Sequence, residues 1–288
     1  MADFLEEMLN KYNCRNAEEY RYAIKEIVQE VALGGMSRSG FFQGGAFYGG
    51  TALRIFHGLR RFSEDMDFSL LEANEKFRLE KFLPTVKEEL WDLGLEMTVE
   101  RKEKTKMSPI QSAFIKGDTL VQIVNIVGKA DIKGMAKGEV IKIKLEVDTK
   151  PPAGATYETK YTLKPIPAAV KLYDKPSLFA GKIHALLCRN WQNRVKGRDF
   201  YDYIWYVSND IPLNVEHLKK RLEQSGKWDG AHIMLLSDVK QMLVERFDSV
   251  DYDNAKKDVI GFIRNPAELD VWSKDFFVAL THSLTARL

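Results

Sequence analysis

The chain has 288 residues, 45% of them apolar and 29% charged, with a formal net charge of +2. That content suits one large or two modest folded domains and excludes a polynucleotide binder working through its overall field, so any such contact must come from local patches. No stretch reaches the roughly 18–20 apolar residues of a membrane span and no basic-then-apolar leader opens the chain, so the expected location is the cytoplasm, without a membrane partner. Two cysteines, Cys14 and Cys188, are too few for a disulfide scaffold and too isolated for a zinc site, so both are expected as free thiols.

In chain order, Asn16 is the expected N-cap of a helix in which Tyr20, Ala23, Ile24, Ile27, Val28 and Val31 recur at helical spacing, with Gly34-Gly35 as its end. The apolar run Phe41–Tyr48 leads into Gly49-Gly50, after which Thr51, Ala52, Leu53, Ile55 and Phe56 read as a helix. Glycine at such a junction lets backbone N–H groups approach phosphate oxygens at a helix N-terminus, which favours negative charge. In Arg61-Phe-Ser-Glu-Asp-Met-Asp-Phe68, Asp65 and Asp67 are two apart and on a strand project to one side, while Met66 and Phe68 face the core. Paired carboxylates suit Mg²⁺, which takes one or two protein carboxylates and completes its shell from water and substrate phosphates. Either element alone is commonplace: Asp-x-Asp is most often a polar edge, and Gly-Gly before a helix a simple turn.

A helix over 74–93, interrupted or kinked at Pro84, precedes strands near 95–101, 110–116, 120–127 and 140–147, giving a mixed sheet with helices against it. The basic run Arg101–Lys106 falls in a predicted hairpin turn and reads as a solvated face.

Taken together and in this order, Gly49-Gly-Thr-Ala-Leu-Arg54 and Arg61–Phe68 resemble the opening motif of the polymerase-β-like nucleotidyltransferases, and more closely its AbiEii/AbiGii toxin branch. The resemblance implies an α/β fold: a nucleotidyltransferase core with a mixed sheet, followed by a helical C-terminal domain. It also marks Gly49, Gly50, Thr51, Arg54 and Ser63 as nucleotide-binding positions.

Holding two metals between attacking hydroxyl and departing pyrophosphate needs a third acid. Val140–Asp148 alternates, with Ile141, Ile143, Leu145 and Val147 on one face and Lys142, Lys144, Glu146 and Asp148 on the other. Glu146, more central in the strand, is the preferred third acid and Asp148 the fallback.

Pro151-Pro152, Gly154, Pro165 and Pro167 mark an irregular passage, which divides the chain into a core at 1–165 and a mainly helical domain at 166–288 closing the active-site groove. Pro176 suits the first turn of a helix and Gly197 its end, placing Lys182 and Arg189 on one stripe; a second helix carries Asp199, Asp202 and Tyr206. Lys182, Arg189, Arg194, Lys196 and Arg198 form the stronger basic patch. In the resembled family this region supplies a lysine on the triphosphate and an aspartate near the active centre, which implies Lys182 and Asp199. Asp202 is the fallback acid, and Arg198 and Asp202 join the nucleotide-binding set. His184, between apolar residues, reads as packed; Tyr201, Trp205 and Tyr206 read as core; Phe247–Asp253 reads as a capped loop. The remaining helices are expected at 215–224, 231–247, 252–263 and 271–284.

The resemblance implies an enzyme that takes a nucleoside triphosphate with Mg²⁺, in a two-metal site, and passes a nucleotide to RNA. The implied acceptor is the tRNA 3′ end, the outcome blocked translation, and the partner a cognate antitoxin. Two other enzymatic readings stay open, a small-molecule nucleotidyltransferase of the aminoglycoside-modifying sort and a kinase-like toxin; a binding-only module is the remaining class.

Overall fold

The protein is described by a computed structural model covering residues 2–102, 108–118, 122, 138–191 and 194–287. The strand expected at 120–127 and most of the basic run Arg101–Lys106 lie outside the described residues. The chain divides into two compact units.

The first unit comprises residues up to Phe56, Ser63–Pro151 and Thr159–Leu172. Its elements are helices α1 (Ala2–Asn10) and α2 (Ala17–Arg38), strand β1 (Gly45–Tyr48), helix α3 (Gly49–His57), strand β2 (Met66–Leu70) and helix α4 (Leu83–Asp92). Strands β3 (Thr98–Lys102), β4 (Ile110–Asp118), β5 (Val140–Asp148), β6 (Tyr157–Thr162) and β7 (Ala168–Tyr173) follow. The fold is α/β, with a mixed seven-stranded sheet in the order β3-β4-β5-β2-β1-β7-β6. β2 runs antiparallel to β1 and parallel to β5, which places the Asp-x-Asp segment in the middle of the sheet.

α2 begins where expected, with the Asn16 side chain accepting from the Glu19 amide at 2.9 Å. It does not end at Gly34-Gly35 but continues to Arg38. The two glycines serve packing instead: a Cβ on Gly35 would sit 2.7 Å from the Val86 Cα of α4, and one on Gly34 3.1 Å from Ile166. Ile24, Ile27, Val28, Val31 and Ala32 are fully buried along α2, and burial of each larger side chain contributes about 1.5–3 kcal/mol. Pro84 does not kink a long helix; it lies in the first turn of α4, where its missing N–H costs nothing, and the preceding residues form only a short 3-10 turn at Leu79–Lys81. The passage read as irregular between Pro151 and Pro167 contains β6 and the approach to β7. The prolines bracket these strands rather than replace them, and the Thr162 hydroxyl donates to the Ile166 carbonyl between them.

The second unit comprises His57–Phe62, Pro152–Glu158 and the chain from Tyr173 on. Its helices are α5 (Lys175–Cys188), α6 (Gly197–Ser208), α7 (Val215–Gln224), α8 (Leu236–Asp248), α9 (Tyr252–Val259) and α10 (Lys274–His282). Asp174 caps α5 by accepting from the Ser177 amide at 3.0 Å. Gly197 does not end that helix but opens α6, and its lack of a side chain serves packing: a Cβ there would lie 1.8 Å from the Ala255 carbonyl oxygen. Phe200, Tyr203, Phe247 and Phe277 form the aromatic centre of this unit. Asp251 caps α9 by accepting from the Asn254 amide, so of the acids of Phe247–Asp253 only Asp251 belongs to a capped loop; Asp248 ends α8 and Asp253 lies in the first turn of α9. Among the described residues no helix is long and apolar enough to cross a membrane, and neither cysteine forms a disulfide.

Candidate active site

Burial along β5 alternates as its sequence does: Ile141, Ile143, Leu145 and Val147 are buried, and Lys144, Glu146 and Asp148 are half-exposed on the other face. On β2, Met66 and Phe68 are fully buried, Asp67 is half-buried and Asp65, just before the strand, is exposed. The two strands are in register with Asp67 opposite Glu146 and Ser69 opposite Asp148. Residues paired directly across a ladder project to the same side of the sheet, so Asp67 and Glu146 share a face. Asp148 lies two positions further along, and its Oδ1 accepts from the Lys150 amide at 2.9 Å, which ties it to the turn that follows.

Tyr48 pairs with Asp67 from the β1 side, and the chain then turns at Gly49, whose φ of 84° is left-handed. A Cβ on Gly49 would lie 2.4 Å from Asp67 Oδ2. Glycine is therefore required twice at this position, by its backbone conformation and by the carboxylate seated against it. The N-terminus of α3 starts at that point, and its first amides are ones an α-helix leaves without internal acceptors. Thr51, buried, donates to the Asp65 carbonyl and lies 2.9 Å from the Ser63 hydroxyl. Both side chains thus hold the start of the Asp-x-Asp segment against α3. Gln29 of α2 supports the same segment through the Ser63 and Glu64 carbonyls, at 3.2 and 2.9 Å. Arg54 pairs with Glu26 of α2 at 2.8 Å.

Glu146 has two side-chain neighbours that sequence reasoning did not assign to the site. Ser112 of β4 donates to Oε1 at 3.0 Å, and Lys144 lies 2.7 Å from Oε2. The period-2 pattern of β5 was the available signal for Lys144; Ser112 required the β4–β5 register. Among the described residues no three His, Cys, Asp or Glu side chains form a ready metal cage. The Asp65/Asp67 pair nevertheless fits a hard divalent ion, since Mg²⁺ is content with one or two carboxylates plus substrate phosphates, and Gly49 leaves space for the Asp67 carboxylate.

In the helical unit, Lys182 on α5 and Asp199 and Asp202 on α6 come together with Arg189 and Arg61. Lys182 Nζ lies 2.6 Å from Asp199 Oδ1 and 2.7 Å from Asp202 Oδ2, and Arg189 lies 2.9 Å from the other Asp199 oxygen. Arg61 grips Asp202 with both prongs, at 2.6 and 2.7 Å. Burial alone raises the Asp202 carboxyl; the Arg61 and Lys182 charges outweigh that and hold it below the usual carboxylate range. Arg61 stands inside the motif that flagged Asp65, yet no local pattern announces that it pairs with a residue 141 positions later. Arg198, expected to bind nucleotide, stacks its guanidinium 4.1 Å over the Phe262 ring. His184 lies 2.9 Å from the Ser225 hydroxyl, and burial with the Arg221 and Arg189 charges pushes it down to about 4, so it is neutral at pH 7.

Residues 31–280 match the family model described as nucleotidyl transferase AbiEii toxin, type IV toxin–antitoxin system. The chain belongs to the AbiEii nucleotidyltransferase toxin family, and by that membership it is a nucleotidyltransferase. A search of the curated proteins finds no match. Among solved structures it is similar to a candidate nucleotidyltransferase from Helicobacter pylori, with 16% identity, TM-score 0.47 and coverage of 88% of this chain and 90% of that one. It is also similar to JHP933 from Helicobacter pylori, with 15% identity, TM-score 0.49 and coverage of 91% and 90%. The family implies a nucleoside triphosphate substrate, a divalent metal and an antitoxin partner.

Proposed function

We propose that the protein transfers a nucleotide from a nucleoside triphosphate to RNA, at the 3′ end of tRNA, and so blocks translation until its cognate antitoxin restrains it in the cytoplasm. The observation that supports this most is the register pairing of Asp67 with Glu146 beside the glycine turn at Gly49. It gathers acidic ligands and a helix N-terminus on one strand centre, which is what a triphosphate needs.

Asp65 and Asp67 would hold Mg²⁺, with Glu146 completing a two-ion set. The metal supplies neutralising charge for the triphosphate and the departing pyrophosphate. The Gly50 and Thr51 amides at the start of α3 donate to phosphate oxygens. Glu146, oriented by Lys144 and Ser112, accepts the proton of the acceptor hydroxyl as it attacks the α-phosphorus. The triphosphate contact assigned to Lys182 belongs to the same reading. Its ammonium is held by two aspartates, so taking up a phosphate there means exchanging one carboxylate partner.

The test is incubation with Mg²⁺, total tRNA, an aminoglycoside and each of the four nucleoside triphosphates, labelled at the α-phosphate or, in parallel, at the γ-phosphate, alongside Asp65→Asn and Lys182→Ala. Label on tRNA that disappears in both variants supports the proposal. Label on a small molecule instead, or γ-label passing to protein, overturns the RNA acceptor in favour of the corresponding alternative.

A further inference from the structure

The helical unit contains a cavity of about 520 Å³ that the transfer chemistry does not use. Its lining includes Arg60, Tyr201, Trp205, Glu268, Trp272 and Phe276. The volume is within the usual range of small-molecule pockets, and the lining has their usual character, aromatic with a few convergent polar groups.

The placement of the aromatic residues on α6 is informative. Phe200, Tyr203, Tyr206 and Val207 are buried in the core of the unit, whereas Tyr201 and Trp205, one turn apart, line the cavity and are only half-buried. The core is therefore complete without them, and the sequence-level expectation that all these aromatics are core holds for Tyr206 but not for Tyr201 and Trp205. The Tyr201 hydroxyl donates to Glu268 Oε2 at 2.7 Å, which fixes both groups at the wall. Burial and the Glu268 carboxylate raise the phenol's pKa, so it stays a donor.

The combined chemistry selects the ligand. Tyr, Trp and Phe rings offer stacking platforms for a planar ring; a carboxylate accepts from ring N–H or amino groups; a guanidinium meets a phosphate and disfavours a cationic guest. We propose that this cavity is a second nucleotide site, which takes a nucleoside monophosphate unit with its base among the aromatic side chains, base N–H groups donating to Glu268, and its phosphate on Arg60. The unit is either a free nucleotide or one residue of an RNA strand. This site is independent of nucleotidyl transfer, because it is a matter of binding and shares no residue with the Asp65/Asp67 site.

Calorimetric titration of the full chain without divalent metal tests it, using GMP and a short single-stranded oligoribonucleotide as probes. GMP is chosen because guanine presents adjacent ring N–H and amino donors. Binding is expected in the wild type, weakened at least tenfold in Trp205→Leu and in Glu268→Gln, and unchanged in Asp65→Asn. Glu268 is exposed, so its variant reports on binding even if Trp205→Leu disturbs folding. Tighter binding of GMP assigns the pocket to free nucleotides, and tighter binding of the oligonucleotide assigns it to RNA. Absence of binding by both probes, retention of binding in Glu268→Gln, or its loss in Asp65→Asn overturns the proposal.

Discussion

Asp67 of β2 and Glu146 of β5 are direct partners in a parallel ladder, 79 positions apart in sequence, whereas Asp148 pairs with Ser69. The β5 sequence leaves two acids open on one face; the register sets Glu146 beside Asp67 and Asp148 two residues further along, which makes their roles testable. Glu146→Gln is expected to lower transfer by about 10²–10⁴-fold, the usual contribution of a positioned general base. Asp148→Asn is expected to stay within a few-fold of wild type. Initial rates of α-label incorporation compare the two; equal losses would mean that register does not select the third acid.

Gly49→Ala tests the turn. At a φ of 84° an L-residue costs about 1–2 kcal/mol, and the new methyl would collide with the Asp67 carboxylate. The expected result is a modestly lower melting temperature and a much larger fall in transfer, because the displaced group is a proposed metal ligand. Gly58→Ala is the control: φ is similar at 78° but nothing lies within 4 Å of its added Cβ, so only the backbone cost should appear.

Asp202 is fully buried between Arg61 and Lys182. Removing one partner of such a pair leaves an uncompensated charge, so Asp202→Asn should destabilise the protein by about 3–5 kcal/mol, read by urea denaturation at pH 7. Because its folded pKa is depressed, the carboxylate's stabilising effect is complete above its unfolded value of about 4 and is lost as pH falls through the lower folded value. The gap between wild type and variant should therefore close in acid.

Glu30 gives the opposite sign. Burial, and next the charge of Glu26, push its carboxyl up to about 8. A raised folded pKa contributes stability that is complete below the unfolded value of about 4 and is lost as pH climbs to about 8. Glu30→Gln should not share that decline, so its melting temperature should exceed that of wild type above pH 7, with the difference growing to about pH 8 and then levelling. Parallel slopes between pH 5 and pH 9 would count against this account.

Local rules determined a good deal of this protein from sequence alone. The period-2 alternation of Val140–Asp148, the Asn16 cap and the first-turn proline at Pro176 follow from pleat, capping and φ preference, and each occurs as expected. The phrase from Gly49 to Phe68 was specific enough to indicate the family that the match over 31–280 shows. What the sequence could not supply were facts about distant neighbours. Gly34-Gly35 and Gly197 look like helix ends until Val86 and Ala255 are set against them. Arg61 looks like one more surface cation until Asp202 closes on it, and the face of α6 that carries Tyr201 and Trp205 looks like core until Phe200 and Tyr203 are seen to fill that place. Periodicity and caps report the chain's own geometry, which adjacent residues encode; packing, ladder register and buried ion pairs depend on segments far apart in sequence, so only the tertiary structure decides them.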